Sequence, residues 1–239
     1  MQKWMPKAAL ALDCSTEVLS LALHTHSGVM ACNTVGGGQT SQSILREIDR
    51  LLSQAGVTWA DIELLVCGRG PGAFTGVRVA VAVVQGLALA RDLPIYAVSG
   101  LLALAEQARL ECWPNASGLD LTALLDARMG QVYVVACTWD GCRWHSGAET
   151  LLNYADAARL PTQVLAGNVR QAWAGLDFAI PAALHDAQPS AQALLAVALQ
   201  DLAAGAQALK DPAALAPVYV RNQVAQTTAE RAAAKAQGM

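Results

Sequence analysis

Residues 67–90, CGRGPGAFTGVRVAVAVVQGLALA, run from a glycine-rich loop straight into an almost unbroken apolar helix, and no other stretch restricts the fold as much. Ile62 to Cys67 predicts a buried strand, Gly68 to Gly72 a tight turn whose backbone N–H groups aim outward, and Thr75 the N-cap of a helix reaching Ala90. Val77, Ala80, Val81, Val83, Val84, Leu87 and Leu89 spread around most of that helix, interrupted by Arg78 and Gln85. A helix apolar on all sides must be covered on all sides, by its own domain or by another chain. Gly76, Ala80, Ala82 and Gly86 are small enough to let a second helix come close. A membrane span is set aside on length, because the stretch from Arg78 to Arg91 falls short of the roughly 20 residues a bilayer requires.

At 239 residues the chain has room for two modest domains and a sizeable core without disulfides or a structural metal. Hydrophobic residues make up 54% and charged residues 15%, which has two equal readings: apolar surface that meets a partner, or simply an alanine-rich genome. Net charge is −3 with no long basic run, which argues against tight autonomous binding to nucleic acid, where neutralised phosphates supply most of the affinity. Six cysteines, at 14, 32, 67, 112, 137 and 142, form no C-x-x-C pair and read as small buried hydrophobes in a reducing compartment. The N-terminus lacks a secretory pattern, and a cytoplasmic location is expected.

One device occurs twice. Lys7 to Asp13 is a strand ending in aspartate; Cys14 to Glu17 turns, Val18 to Thr25 returns, and Ser27-Gly28 leads into a third strand through Val35. Leu121 to Asp126 is again an apolar strand ending in aspartate, followed by the turn Ala127 to Gly130, the strand Val132 to Thr138 and the hairpin signal Asp140-Gly141. Such repetition marks a duplicated domain: an N-terminal lobe over 1–110, a C-terminal lobe over 111–222, and a loose tail over 223–239. The remaining elements alternate: a helix from Ser41 to Ala55 closed by Gly56, a strand Pro94 to Val98, a helix capped by Ser99, a helix over Leu151 to Leu160, and a strand at Val164 to Ala166. Ser190 then caps a helix that Gly205 ends, and Pro217 to Val220 forms a short strand. Hairpins followed by helix-crossed parallel strands, made twice, give an α/β chain of the duplicated actin-like, sugar-kinase and Hsp70-ATPase class, two lobes of mixed sheet with helices.

The runs LALDCSTEVLSLAL, GRGPGAFTGVRVAVAVVQGLALA, LDARMGQVYVV and PVYVR closely resemble the TsaB, or YeaZ-type, family of bacterial tRNA threonylcarbamoyladenosine biosynthesis proteins, in order from residue 8 to about 222. The resemblance implies a non-catalytic scaffold that docks on and activates a catalytic paralogue, TsaD. With the ATPase TsaE, that pair installs threonylcarbamoyl on adenosine 37 of tRNAs reading codons that begin with A. ATP would be used by the complex, with no cofactor bound by this chain alone and tRNA reached only through the complex. Catalytic relatives hold a metal with a His-x-x-x-His pair on the helix after the strand following the glycine loop. Here that helix reads VSGLLALAEQA, with Gly100 and Leu104 in the two places. Neither can ligate, and His24, His26, His145 and His185 lie elsewhere.

Asp13 with Ser15 and Thr16, and Asp126 in the second copy, occupy the positions where this fold class contacts phosphate and magnesium, so a vestigial nucleotide site is one reading of them. Caps of the two turns is the other, favoured because Cys14 replaces a glycine or small polar residue, Arg128 follows the second aspartate, and LAGNV at 165–169 has one glycine. Gly68, Gly70 and Ala73 match a dinucleotide fingerprint, but the next strand ends in Val98-Ser99 without an acidic residue, and Pro71 removes an N–H. Ser15, Ser41 and Ser99 have capping or turn roles instead of a nucleophile's. Trp139 and Trp144 around Arg143 suit packing better than stacking on a base. The interface is expected from Ile44, Leu45, Ile48, Val77, Ala80, Val81 and Val84 on two neighbouring helices, some of them serving the core instead; the same surface could close a homodimer. The rival reading is an ATP-dependent small-molecule kinase carried by Asp13 and Asp126, and a further one a metal-dependent, glycopeptidase-like hydrolase.

Overall fold

The computed structural model describes residues 4–36, 41–161 and 164–221. In the first sheet β1 (Ala9–Asp13), β2 (Val18–Thr25), β3 (Gly28–Val35), β4 (Leu64–Gly68) and β5 (Ile95–Val98) lie in the order β3-β2-β1-β4-β5. β1, β2 and β3 are antiparallel hairpin partners, while β1, β4 and β5 run parallel. The second sheet holds β6 (Leu119–Asp126), β7 (Gln131–Trp139), β8 (Trp144–Ser146), β9 (Thr150–Asn153), β10 (Leu165–Gly167) and β11 (Leu184–Asp186). Its order is β11-β10-β6-β7-β8, with β9 also on β7, and the antiparallel β6–β7 pair repeats the β1–β2 pair. The two aspartate-ended hairpins of the sequence are therefore equivalent elements of two sheets.

β1 shows why the layers stack as they do. Leu10 and Leu12 face α1 (Ser41–Ala55) and α2 (Phe74–Arg91), whereas Ala9 and Ala11 face α6 (Ala191–Ala204), where small side chains let the helix lie close. α1 turns Ile44, Ile48, Leu51 and Leu52 to the sheet and its charged residues to solvent. Ser99 caps α3 (Gly100–Cys112) by accepting from Leu101 and Leu102 N–H, and Ser190 caps α6 through Ala193 N–H.

The helices cross between the halves. α3, from the first half, packs on β6, β7 and β10; α6, from the second half, packs on β1, β2, β4 and β5, and the two helices pack on each other. One continuous core results, running from Ala9 and Val66 through Leu104 and Leu194 to Leu121 and Ala123. The expected division at 110/111 falls inside α3. Within this layer Glu106 is 0% exposed and accepts from Arg109 Nε (2.7 Å) and Nη2 (2.9 Å), Trp144 Nε1 (2.9 Å) and Gln200 Nε2 (2.9 Å). Arg109 also lies 4.4 Å from the centre of the Trp139 ring. Trp139 and Trp144 are thus packing residues.

Three local expectations differ. Leu151 and Leu152 belong to β9, because pairing with β7 outweighs helical spacing, and only Tyr154–Ala157 turns as α4. Pro217 to Val220 forms no strand; it is an extended strap whose Val218 N–H bonds Arg69 O at 2.8 Å. α2 begins at Phe74 with Ala73 in the cap position and no side-chain cap, so Thr75 is already helical. The expected tail over 223–239 lies outside the described residues.

Candidate functional site

α2 follows the glycine loop and carries four of the seven residues expected at a partner contact. Of the seven residues expected there, Ile44, Ile48, Val77, Ala80, Val81 and Val84 are 0–5% exposed inside the protein's own core, and Leu45 alone reaches solvent at 39%. The reason is helical register: those six form the stripes that meet β1, β2 and β4. Turning α2 outward brings up Thr75, Val79, Ala82, Gly86 and Leu89, spaced four, three, four and three, with Leu89 78% exposed. A Cβ on Gly86 would meet nothing within 4 Å. By length and apolarity alone the 18 residues of α2 would suffice to cross a membrane, so length does not decide that question as the sequence argument has it. Packing of Val77, Ala80, Val81, Val83, Val84 and Ala88 makes the helix a layer of this fold.

The glycine loop is packed inward. Arg69 N–H bonds Val98 O (3.0 Å), Ala73 N–H bonds Ser15 O (2.7 Å), and Gly70 O accepts from Gly100 N–H (2.7 Å). A Cβ on Gly76 would lie 1.9 Å from Cys14 O and one on Gly68 2.0 Å from Asp13 Oδ2. These glycines let the loop and the first turn of α2 press against the β1–β2 turn; Gly76 is used there and not for another helix. Gly100 sits under the same loop, where a Cβ would come 2.9 Å from Pro71 O, and Leu104 is 0% exposed. The two places that carry metal-binding histidines in the resembled catalytic proteins are here a tight backbone contact and a core leucine.

Asp13 and Asp126 both cap turns. Asp13 Oδ1 accepts from Ser15 N–H (2.9 Å) and Oγ–H (2.7 Å), while its Oδ2 is buried with no partner. Burial pushes the Asp13 carboxyl up, against the lowering effect of the Ser15 bonds. Neighbouring Cys14 is raised to about 12, by burial first and the Asp13 charge second. Thr16 Oγ1 accepts from Val18 N–H at 3.2 Å. Asp126 Oδ1 accepts from Arg128 N–H (2.9 Å) and Tyr154 Oη–H (2.7 Å), with Arg128 Nε 3.5 Å from its Oδ2. Arg128 then reaches across to Glu17 at 2.9 Å, joining the two turns. A buried carboxyl pushed up by burial, and a second carboxylate already facing a guanidinium, suit turn caps better than a magnesium-bound phosphate.

The second turn is held tightly. Arg128 and Met129 have φ of 59° and 56°, a region that costs a non-glycine residue on the order of 1 kcal/mol, and Gly130 follows at 74°. Arg221 braces the turn through Ala127 O, Arg128 O and Gln131 Oε1. The sequence alone assigns no role to Arg221, Tyr219, Phe74 or Tyr154; the PVYVR run is the one signal that contains the first two. Of the cysteines, Cys14, Cys67 and Cys137 are buried as expected, whereas Cys112 and Cys142 are exposed.

A family model described as TsaD, tRNA N6-adenosine threonylcarbamoyltransferase, matches residues 37–236. The tRNA threonylcarbamoyladenosine biosynthesis protein TsaB of Escherichia coli K12 is 34% identical over 226 residues, covering 90% of this chain and 95% of that protein. TsaB of Haemophilus influenzae is 39% identical over 124 residues, 52% of this chain and 51% of that one. The structure of YeaZ from Pseudomonas aeruginosa superposes with a TM-score of 0.76 at 33% identity, covering 90% of this chain and 100% of that chain. The two mixed sheets and their crossing helices agree with that match, and this chain belongs to the TsaB (YeaZ) family, whose role lies in tRNA threonylcarbamoyladenosine biosynthesis.

Proposed function

We propose that this chain is a docking and orienting subunit that activates a catalytic paralogue of the TsaD kind and performs no group transfer itself. The observation that carries the reading is the outer face of α2: an apolar, small-residue strip from Val79 to Leu89 left uncovered on a helix whose other side is fully used by the core. A partner helix laid along Ala82 and Gly86 could approach closely and remove Leu89 from water. The adjoining α1 adds Leu45. The buried Gly100 and Leu104 support the non-catalytic half of the reading, since no side chain there can hold a metal. The ATPase TsaE and tRNA join through the complex, which consumes ATP, and the compartment is the cytoplasm. Alone, the same strip can close an isologous homodimer.

The test is reconstitution of the modification from catalytic paralogue, ATPase, ATP and tRNA, with wild type or Ala82→Asp chain. Wild type is expected to be required and to be inert alone, and the variant to stay folded but lose co-purification and activity. A variant that binds and activates like wild type would remove α2 from the interface. Product formed by this chain without the paralogue would end the non-catalytic reading.

A further inference from the structure

Next to the α2 strip, the first turn of that helix carries an aromatic cluster that docking along Val79 to Leu89 does not explain. Phe74 and Tyr219 are 43% and 48% exposed. The Arg78 guanidinium lies 3.8 Å from the centre of the Phe74 ring, and its Nε donates to Tyr219 Oη at 2.7 Å. Two residues further on, Arg221 Nη2 donates to Ala127 O, Arg128 O and Gln131 Oε1 at 3.0, 3.3 and 2.8 Å, and Nη1 lies 3.6 Å from Met129 Sδ. Val218 ties the same segment to the glycine loop through Arg69 O. One short strap therefore touches the helix, the loop before it and the second-lobe turn.

That turn is over-determined. Consecutive non-glycine residues in the left-handed region persist only where neighbours hold them. Asp126 grips Arg128 N–H, Tyr154 grips Gly130 O through its own N–H at 2.9 Å, and Arg221 grips two carbonyls. The product of the bracing is Met129, aimed outward and 77% exposed. An adaptable apolar side chain on a stiff base, continuous with an exposed Phe, Tyr and Arg, has the composition of a protein contact and not of a phosphate site. Arg128 beside it is already paired with Glu17 and Asp126.

We propose that Arg221 is a positioning residue for docking. By bracing the Ala127–Gly130 turn it presents Met129 as a second contact, so the footprint of the non-identical partner protein runs from α2 across the Tyr219 strap onto the second lobe. The inference rests on the docking function proposed above. It adds that both lobes are read by the partner, and that the strap sets their contacts in register.

The test uses the full chain and the purified catalytic paralogue, with affinity from calorimetry and turn order from amide hydrogen exchange. Arg221→Met keeps the stem and removes the donors. Exchange at residues 128–131 is expected to rise about tenfold with β1 and β4 unchanged, and Kd to rise roughly tenfold, as for loss of one strong contact. Arg221→Lys should recover part of both. Met129→Ser should weaken binding to a similar degree while leaving exchange at the turn unaltered. Wild-type affinity in Met129→Ser, or unchanged exchange in Arg221→Met, overturns the proposal. If Arg221→Met does not fold, Met129→Ser decides alone. Ala82→Asp separates the two ideas: wild-type binding by that variant would remove α2 from the docking face proposed above, whereas loss of binding there with wild-type affinity in Met129→Ser would sink only the second contact.

Discussion

Arg128 Nη2 lies 2.9 Å from Glu17 Oε1 and joins the turn after Asp126 to the turn after Asp13, the two copies of one device. Both side chains are mostly in water, at 72% and 82% exposure, where an ion pair is worth about 0–1 kcal/mol. Glu17→Ala should therefore shift the urea midpoint only slightly. A loss above about 2 kcal/mol would show that the pair does more than the surface rule allows.

The glycines of the loop and of α2 should answer mutation in opposite ways. Gly76→Ala forces a methyl onto the Cys14 carbonyl, and backbone cannot step aside cheaply, so destabilisation of about 3 kcal/mol or more is expected. Gly86→Ala meets open space on an exposed helix interior and should stabilise the chain by about 0.5–1 kcal/mol. Thermal melts of the two variants check both signs. A stabilised Gly76→Ala chain would mean the loop is not pressed on the β1–β2 turn.

Asp13 should make stability fall with rising pH. Its folded-state carboxyl is raised by burial, so the folded chain binds the proton more tightly than the unfolded one. The stabilisation of the neutral form is fully present below the ordinary value of 3.8 and is lost as pH climbs through the folded value. Asp13→Asn keeps an acceptor for Ser15 and cannot ionise. Urea unfolding of the variant is expected to lose less stability than wild type over that climb; identical slopes would refute the burial argument.

Glu106 should be costly to break and cheap to replace whole. Glu106→Leu strands the Arg109 charge in the core, for which a loss of about 3–5 kcal/mol is expected, while Glu106→Leu with Arg109→Met should recover most of it. A double variant no better than the single one, in equilibrium denaturation, would indicate that Trp144 and Gln200 depend on the carboxylate as much as Arg109 does.

Legibility from the sequence followed the range of the forces involved. α1 over Ser41–Ala55, β2, β3, the Ser99 and Ser190 caps, and Gly56 and Gly205 were readable because periodicity, capping and positive φ act within a few residues. α2 was readable as a helix but not as a pair of faces: with Val and Ala all round, only the sheet beneath decides which stripe is core, and six expected contact residues went inward. β9 has helical spacing in the sequence, and its partner β7 is invisible to any local pattern. Asp13 and Asp126 each accept the backbone N–H two residues on, a bond short enough for a local motif to signal. The Arg221 brace joins residues about 90 positions apart, and no local pattern announces it.

The crossing of α3 and α6 bears on how such a chain can be cut. Split between the end of α3 at Cys112 and the start of β6 at Leu119, the first fragment would carry α3 with nothing beneath it and a sheet stripped of α6, while the second would have the reverse deficit. Each piece keeps one cluster of its own but loses the layer that α3 and α6 share, so the two halves are expected to reach full stability only together. Two separately expressed fragments should gain that layer only on being mixed.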